Sequence, residues 1–228
     1  MGLIPNNLQA VKARIEAAAR AAGRDPGAVR LLAVSKTHAP ALVREAAAAG
    51  QRAFGENYVQ EALDKMAALA DLPLEWHLVG PLQSNKTRVV AERFHWVHTV
   101  DREKVARRLS EQRPAGMAPL NVLVQVNASG EASKSGIAPA EVAALAAAIA
   151  GMKTLRLRGL MAIPESGAAQ SRFRQIGELF QGLRGDFSWD TLSLGMSDDL
   201  EAAIAAGSTM VRVGTAIFGA RREVRDAA

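Results

Sequence analysis

The chain alternates without a break between short apolar runs and longer helix-forming stretches, and this alternation limits the folds open to it more than any other feature. The runs are "AVRLLAVSK", "RAFGEN", "LEWHLVG", "HWVHTV", "LNVLVQVN", "LRLRGLMAI", "TLSLGM" and "TMVRVGTAIFG". Most are rich in Val, Leu or Ile and too short for a helix, which reads as buried strand. Between them lie "APALVREAAAAG", "YVQEALDKMAALA", "SNKTRVVAER", "REKVARRLSEQ", "APAEVAALAAAIAG", residues 170–183 and "DDLEAAIAAG". These carry apolar residues at helical spacing, or alanine, the best helix former. Strand-then-helix order imposes a parallel sheet with right-handed crossovers. About eight such units predict an α/β fold in which a (β/α)8 TIM barrel closes on itself. One extra N-terminal helix precedes the first strand, with Leu8, Val11, Ile15, Ala18 and Ala19 on one face. An open doubly wound sheet is the competing architecture. It usually has fewer strands and a glycine-rich first turn, and the first turn here, "SKTHAP", has no glycine. No linker or repeat divides the chain, so residues 1–228 read as one barrel domain. Expected helix caps are Ser84 or Asn85, Asp101 and Ser197.

Composition narrows the function. Cysteine is absent, which excludes a disulfide framework and thiolate metal sites and suits a reducing cytoplasm. The N-terminus lacks the apolar core of a signal peptide, and no apolar run approaches the ~20 residues of a membrane span. The net charge of +5 is spread along the chain, with small clusters only at Arg107-Arg108 and Arg221-Arg222. Aromatic residues are few, so stacking platforms for nucleic acid are not evident. Neither nucleic acid nor membrane is an expected partner, and a small anionic ligand suits the balance.

In such a barrel the functional face lies at the C-terminal ends of the strands. Lys36 stands where the first strand runs out, although a lysine is seldom buried without a partner. Glu56 and Asn57 follow the second strand, "MSDD" the seventh and "GTAIFG" the eighth. Loops after strands seven and eight often bind phosphate in barrels. Ser197 offers a hydroxyl at a helix start, Gly214 lets backbone approach a ligand, and Thr215 adds a hydroxyl and an N–H. A strand-end lysine facing a phosphate site suggests a Schiff base with a phosphorylated aldehyde, and pyridoxal 5'-phosphate has the aldehyde, a flat ring and the phosphate. Arg212, two residues before Gly214, shares its face of the strand. Pointing inward, it can donate to the ring nitrogen and, staying protonated itself, leave that nitrogen unprotonated.

The motifs "LLAVSKTH", "FGENYVQE", "WHLVGPLQSNK", "VHTVD", "VNASGEASKSG", "LRGLMAI" and "SLGMSDDLEAAIAAGSTMVRVGTAIFG" resemble, in order and over almost the whole chain, the pyridoxal-phosphate homeostasis protein family. That family is similar to the N-terminal barrel of alanine racemase and is counted among the fold-type III pyridoxal-phosphate proteins. The resemblance implies Lys36 as the Schiff-base lysine and Asn57 close to the cofactor. It implies Ser197, Gly214 and Thr215 around the phosphate with Met196 beside them, and Arg212 at the pyridine nitrogen.

Two residues have both a structural and a functional reading. His77 is either an acid or base near the ring or a packed, hydrogen-bonded barrel histidine. Lys134 is either a second amine that guides the cofactor or a solvated loop lysine. The spacing of His38, His95 and His98 does not argue for a metal. A racemase needs an acid or base on each face of the ring. In alanine racemase-like enzymes one is a tyrosine from a second domain of the partner subunit, and here the chain ends soon after Thr215 with Tyr58 as its only tyrosine. The expectation is a cytoplasmic, monomeric carrier with no catalytic residue, which stores or delivers pyridoxal 5'-phosphate to apo enzymes. An amino-acid racemase is the alternative, and a cofactor-free Schiff-base aldolase a third.

Overall fold

The computed structural model describes residues 2–129, 135–165 and 167–220, so Lys134 and the Arg221-Arg222 cluster lie outside the described residues. Within them, eight parallel strands close into a barrel: β1 (Arg30–Val34), β2 (Ala53–Glu56), β3 (Glu75–Leu78), β4 (Trp96–Val100), β5 (Leu120–Val126), β6 (Leu155–Ala162), β7 (Thr191–Ser193) and β8 (Met210–Val213). Each strand pairs with the next in sequence. β8 returns to β1 with Leu32 opposite Arg212 and Ala33 opposite Val213, which closes the ring. The helices are α1 (Leu3–Ala21), α2 (Pro40–Ala48), α3 (Val59–Ala68), α4 (Thr87–Arg93), α5 (Glu103–Gln112), α6 (Val142–Ala150), α7 (Gln170–Phe187), α8 (Leu200–Ala205) and α9 (Thr215–Phe218). The predicted alternation and the extra N-terminal helix are both present.

The main apolar core lies between sheet and helices. It includes Leu8, Val11 and Ile15 of α1, Val97 and Val100 of β4, and Phe173, Ile176 and Phe180 of α7. The barrel interior differs from the branched aliphatic filling common in this fold. Two small apolar clusters occupy it, Leu32–Ala53–Val79–Met210 and Trp96–Leu123–Met161. The polar side chains His77, His98, Ser193 and Arg212 are buried with them. His98 of β4 bonds Ser193 of β7, and because these strands are not neighbours in the sheet, the contact crosses the interior.

The structure corrects three expected caps. α4 starts at Thr87, preceded by a 3-10 turn over Ser84–Lys86. α5 is entered through Arg102, while Asp101 pairs with the Arg102 guanidinium at 2.6 Å. α8 begins at Leu200 with Asp199 in the N-cap position, so Ser197 lies in the preceding turn. The Asp199 carboxylate folds back to accept the Met196 N–H at 2.5 Å, which stabilises that turn in place of the first turn of the helix.

Candidate functional site

The first strand of the barrel ends at a strained turn. Thr37, a β-branched residue, has φ 64°, a left-handed conformation such residues rarely adopt. Its N–H donates to Glu61 Oε1 at 2.5 Å. Lys65, buried in α3, donates to the same Glu61 oxygen at 2.7 Å, to Glu56 Oε1 at 2.7 Å and to the Ser35 carbonyl at 2.6 Å. Ser35 Oγ donates to Glu56 Oε1 at 2.6 Å. The backbone on both sides of Lys36 is thus clamped by one buried cation and two carboxylates. Glu56 is fully buried; its Oε2 has no hydrogen-bond partner among the described residues, and burial raises its carboxyl pKa against the opposing pull of Lys65. Its bonds run to Ser35 and Lys65 behind the barrel wall, and it is not among the residues that face the ligand cavity.

That cavity has a volume of about 290 Å³ and opens at the C-terminal ends of the strands, near the small end of the range for small-molecule sites. Lys36, Asn57, Met196, Ser197, Arg212, Gly214 and Thr215 all lie in its wall. The structure thus brings together, from four strand ends, the seven residues that the sequence and the family resemblance assign to the cofactor, while Glu56, also at a strand end, stays outside the cavity. Val34, Val79 and Ile163 supply apolar faces, and His38 and Asp198 complete the polar lining. Sequence reading missed these five as site residues. The three apolar ones could have been found by counting alternate positions inward along each strand. His38 lies two residues beyond Lys36, and its ring packs on Phe218 with centroids 5.1 Å apart.

Arg212 forms the inner wall. Its guanidinium donates to Ser193 O at 2.7 Å, Ser193 Oγ at 2.8 Å and Ala162 O at 2.9 Å. Burial pushes its pKa down to about 10, so it stays cationic at neutral pH. Its partners are two carbonyls and a hydroxyl, so among the described residues no contacting carboxylate neutralises its positive charge. Glycine eases the packing at position 214, where a Cβ would stand 3.0 Å from the Val34 carbonyl oxygen, a tight contact.

Both loops beside the cavity are braced by α1. Arg14 donates to the Ser197 carbonyl at 2.7 Å and pairs with Glu201 at 2.5 Å. Asn7 donates to Ile217 O at 3.0 Å, in the turn that follows Gly214 and Thr215.

His77 and Tyr58 lie apart from the cavity wall, while Lys134 lies outside the described residues. His77 is fully buried and bonded to Glu75 at 2.7 Å and His98 at 2.9 Å, which is the packed-histidine reading. Tyr58 is 58% exposed, at the start of α3.

The donor set fits a phosphorylated aldehyde on an aromatic ring: a lysine amine, hydroxyls and a glycine turn for an anion, a buried guanidinium, and aliphatic faces for the ring.

The sequence matches the alanine racemase N-terminal domain family over residues 6–222. It is 63% identical over 225 residues to the pyridoxal phosphate homeostasis protein of Pseudomonas aeruginosa, covering 97% of both chains. It is 57% identical over 229 residues to the protein of that name from Escherichia coli (strain K12), covering 97% of this chain and 98% of the other. Among solved structures it is similar to PipY of Synechococcus elongatus with pyridoxal phosphate bound, at 38% identity and a TM-score of 0.82, covering 95% of this chain and 100% of that one. The alanine racemase of Corynebacterium glutamicum, at 18% identity and a TM-score of 0.67, shares the fold; the match covers 96% of this chain and 62% of the racemase.

Proposed function

Because this chain belongs to the alanine racemase N-terminal domain family, and within it to the pyridoxal phosphate homeostasis proteins, we propose that the cavity at its barrel mouth is where it holds its cofactor. That cofactor is pyridoxal 5'-phosphate, and the protein acts in its homeostasis. The observation that carries the assignment to this cavity is the convergence of Lys36, Arg212 and the Ser197 and Gly214–Thr215 loops on one 290 Å³ space.

When bound, the cofactor would supply an aldehyde with which a neutral amine can condense, releasing water. Lys36 provides that amine, held in place by the clamp around Ser35 and Thr37. Ser197, Thr215 and the backbone at Gly214 accommodate the phosphate, with Met196 beside them. Val34, Val79 and Ile163 would shield the ring from water, Asn57 would offer it a polar contact, and Arg212 would be the donor to the ring nitrogen.

The protein works as a cytoplasmic, monomeric carrier that hands the cofactor to apo enzymes. Arg212 supports this reading, because a donor at the ring nitrogen that keeps its own proton leaves the cofactor a weak electron sink. A second reading, an amino-acid enzyme, draws on His38, an imidazole in the cavity wall.

Borohydride reduction of the yellow, loaded protein is expected to fix the label on Lys36, with Lys36→Ala losing that peptide. A label elsewhere in the wild-type protein would sink the assignment. The same preparation should reactivate an apo enzyme and show no racemisation above the Lys36→Ala background. Turnover of an amino acid near ~1 s⁻¹ that His38→Ala abolishes would establish the enzyme reading instead.

A further inference from the structure

The buried polar side chains of the barrel interior form one continuous chain. It starts at Arg212 in the cavity wall, whose Nη1 lies 2.8 Å from Ser193 Oγ. Ser193 Oγ is 3.1 Å from His98 Nδ1, and His98 Nε2 is 2.9 Å from His77 Nδ1. His77 Nε2 is 2.7 Å from Glu75 Oε1, which also accepts from Arg30 at 2.8 Å. Glu75 and Arg30 open β3 and β1, at the end of the barrel opposite the cavity, where their side chains are 34% and 49% exposed.

Donor and acceptor chemistry gives this chain a direction. A guanidinium only donates, so Ser193 Oγ accepts from Arg212. At the far end an ionised carboxylate only accepts, so His77 carries its proton on Nε2. A neutral His77 then accepts at Nδ1, which requires the proton of His98 on Nε2. A neutral His98 accepts at Nδ1, which requires the hydroxyl proton of Ser193. The two ends agree without a conflict at any atom. Full burial keeps both imidazoles neutral, lowering His77 to about 4 and His98 well below the usual histidine range. Arg30 lies over the Trp96 ring on which His77 stacks at 5.2 Å, and its charge adds to the cost of charging His77.

We propose that Ser193, His98, His77 and Glu75 are positioning residues for the cofactor, a one-way hydrogen-bonded chain through the barrel that fixes the orientation of Arg212 under the ring. The inference rests on the reading that places the ring against Arg212. Commitment of the Ser193 proton to His98 leaves its oxygen lone pairs for Arg212, and each link polarises the next. The carboxylate at the distal end thereby sets how firmly the guanidinium is held at the cavity.

Two measurements test this. In the cofactor-free wild-type protein at pH 7, two-bond proton–nitrogen correlation of labelled histidines should show His77 and His98 both with the proton on Nε2. A proton on Nδ1 of either ring, or a charged imidazole, overturns the one-way chain without reference to the cofactor. In the loaded protein, Ser193→Ala should shift the visible absorption maximum and speed cofactor release by roughly threefold to tenfold, the scale of one ordinary hydrogen bond. Ser193→Thr, which keeps the hydroxyl, should restore both. A wild-type spectrum and release rate in Ser193→Ala overturns the positioning role. Failure of the cavity assignment would show separately, as a borohydride label away from Lys36.

Discussion

At the residue scale, the site depends on a lysine that does not enter the cavity. Lys65 bonds the Ser35 carbonyl and both carboxylates, Glu56 and Glu61, that hold the turn after Lys36. Removing one partner of a buried ion pair leaves the other uncompensated, which typically destabilises by about 3–5 kcal/mol. Lys65→Met is therefore expected to lose about that much stability in urea unfolding, while Lys65→Arg, which keeps a cation there, should lose less. A loss below about 1 kcal/mol would mean that Glu56 enters the fold protonated. The sequence showed that Lys36 ended a strand. It gave no sign that Lys65 was buried, because an i,i+4 Glu61–Lys65 pair on a helix reads as a solvated face.

At the element scale, α1 acts as a brace rather than as a cap on the barrel. Its apolar face, Leu8, Val11 and Ile15, packs into the main core, as its spacing predicted. Its polar face holds the two loops beside the cavity, through Arg14 to Ser197 and Glu201 and through Asn7 to Ile217. Arg14→Ala should leave the fold intact, since the pair is partly exposed and worth little by itself. It should loosen the Ser197 turn and weaken pyridoxal 5'-phosphate binding by roughly twofold to tenfold, about the scale of one hydrogen bond. Fluorescence titration of the cofactor checks this, and unchanged affinity would show that the turn holds its shape without α1. α8 and α9 are short and start close to the loops they follow, so the positions of those loops depend on such outside contacts.

At the scale of the whole molecule, a barrel with imidazoles in its interior is sensitive to acid. His77 titrates near 4 in the folded protein against an ordinary value of 6.5, because burial opposes its charged form. The unfolded chain binds that proton first, so stability falls as pH drops from 6.5 towards 4. The full effect is about 3 kcal/mol for His77, and His98 acts in the same direction. Glu75, lowered to about 2 by His77 and Arg30 against the opposing effect of burial, keeps its charge through this window. Urea unfolding at pH 7 and pH 4.5 should show the loss, and His77→Gln should reduce it. Equal midpoints at the two pH values in the wild-type protein would contradict the neutral, buried state of both rings.

Sequence alone determined the order and type of the elements, because strand and helix impose different periods on apolar residues and those periods are local. It also determined which residues stand at strand ends, and in a parallel barrel all such ends lie on one face. Lys36, Ser197, Arg212, Gly214 and Thr215 could therefore be nominated together from their places on that face, and the family resemblance added Asn57 and Met196, before any contact was known. What only the tertiary structure decided are contacts between distant residues whose separation no period encodes. Ser193 meets His98 across 95 positions, Arg14 meets Ser197 across 183, and Lys65 meets the Ser35 carbonyl across 30. Such pairs form because a closed barrel leaves buried polar groups only one another to bond, and which ones meet is fixed by the register at which the ring closes.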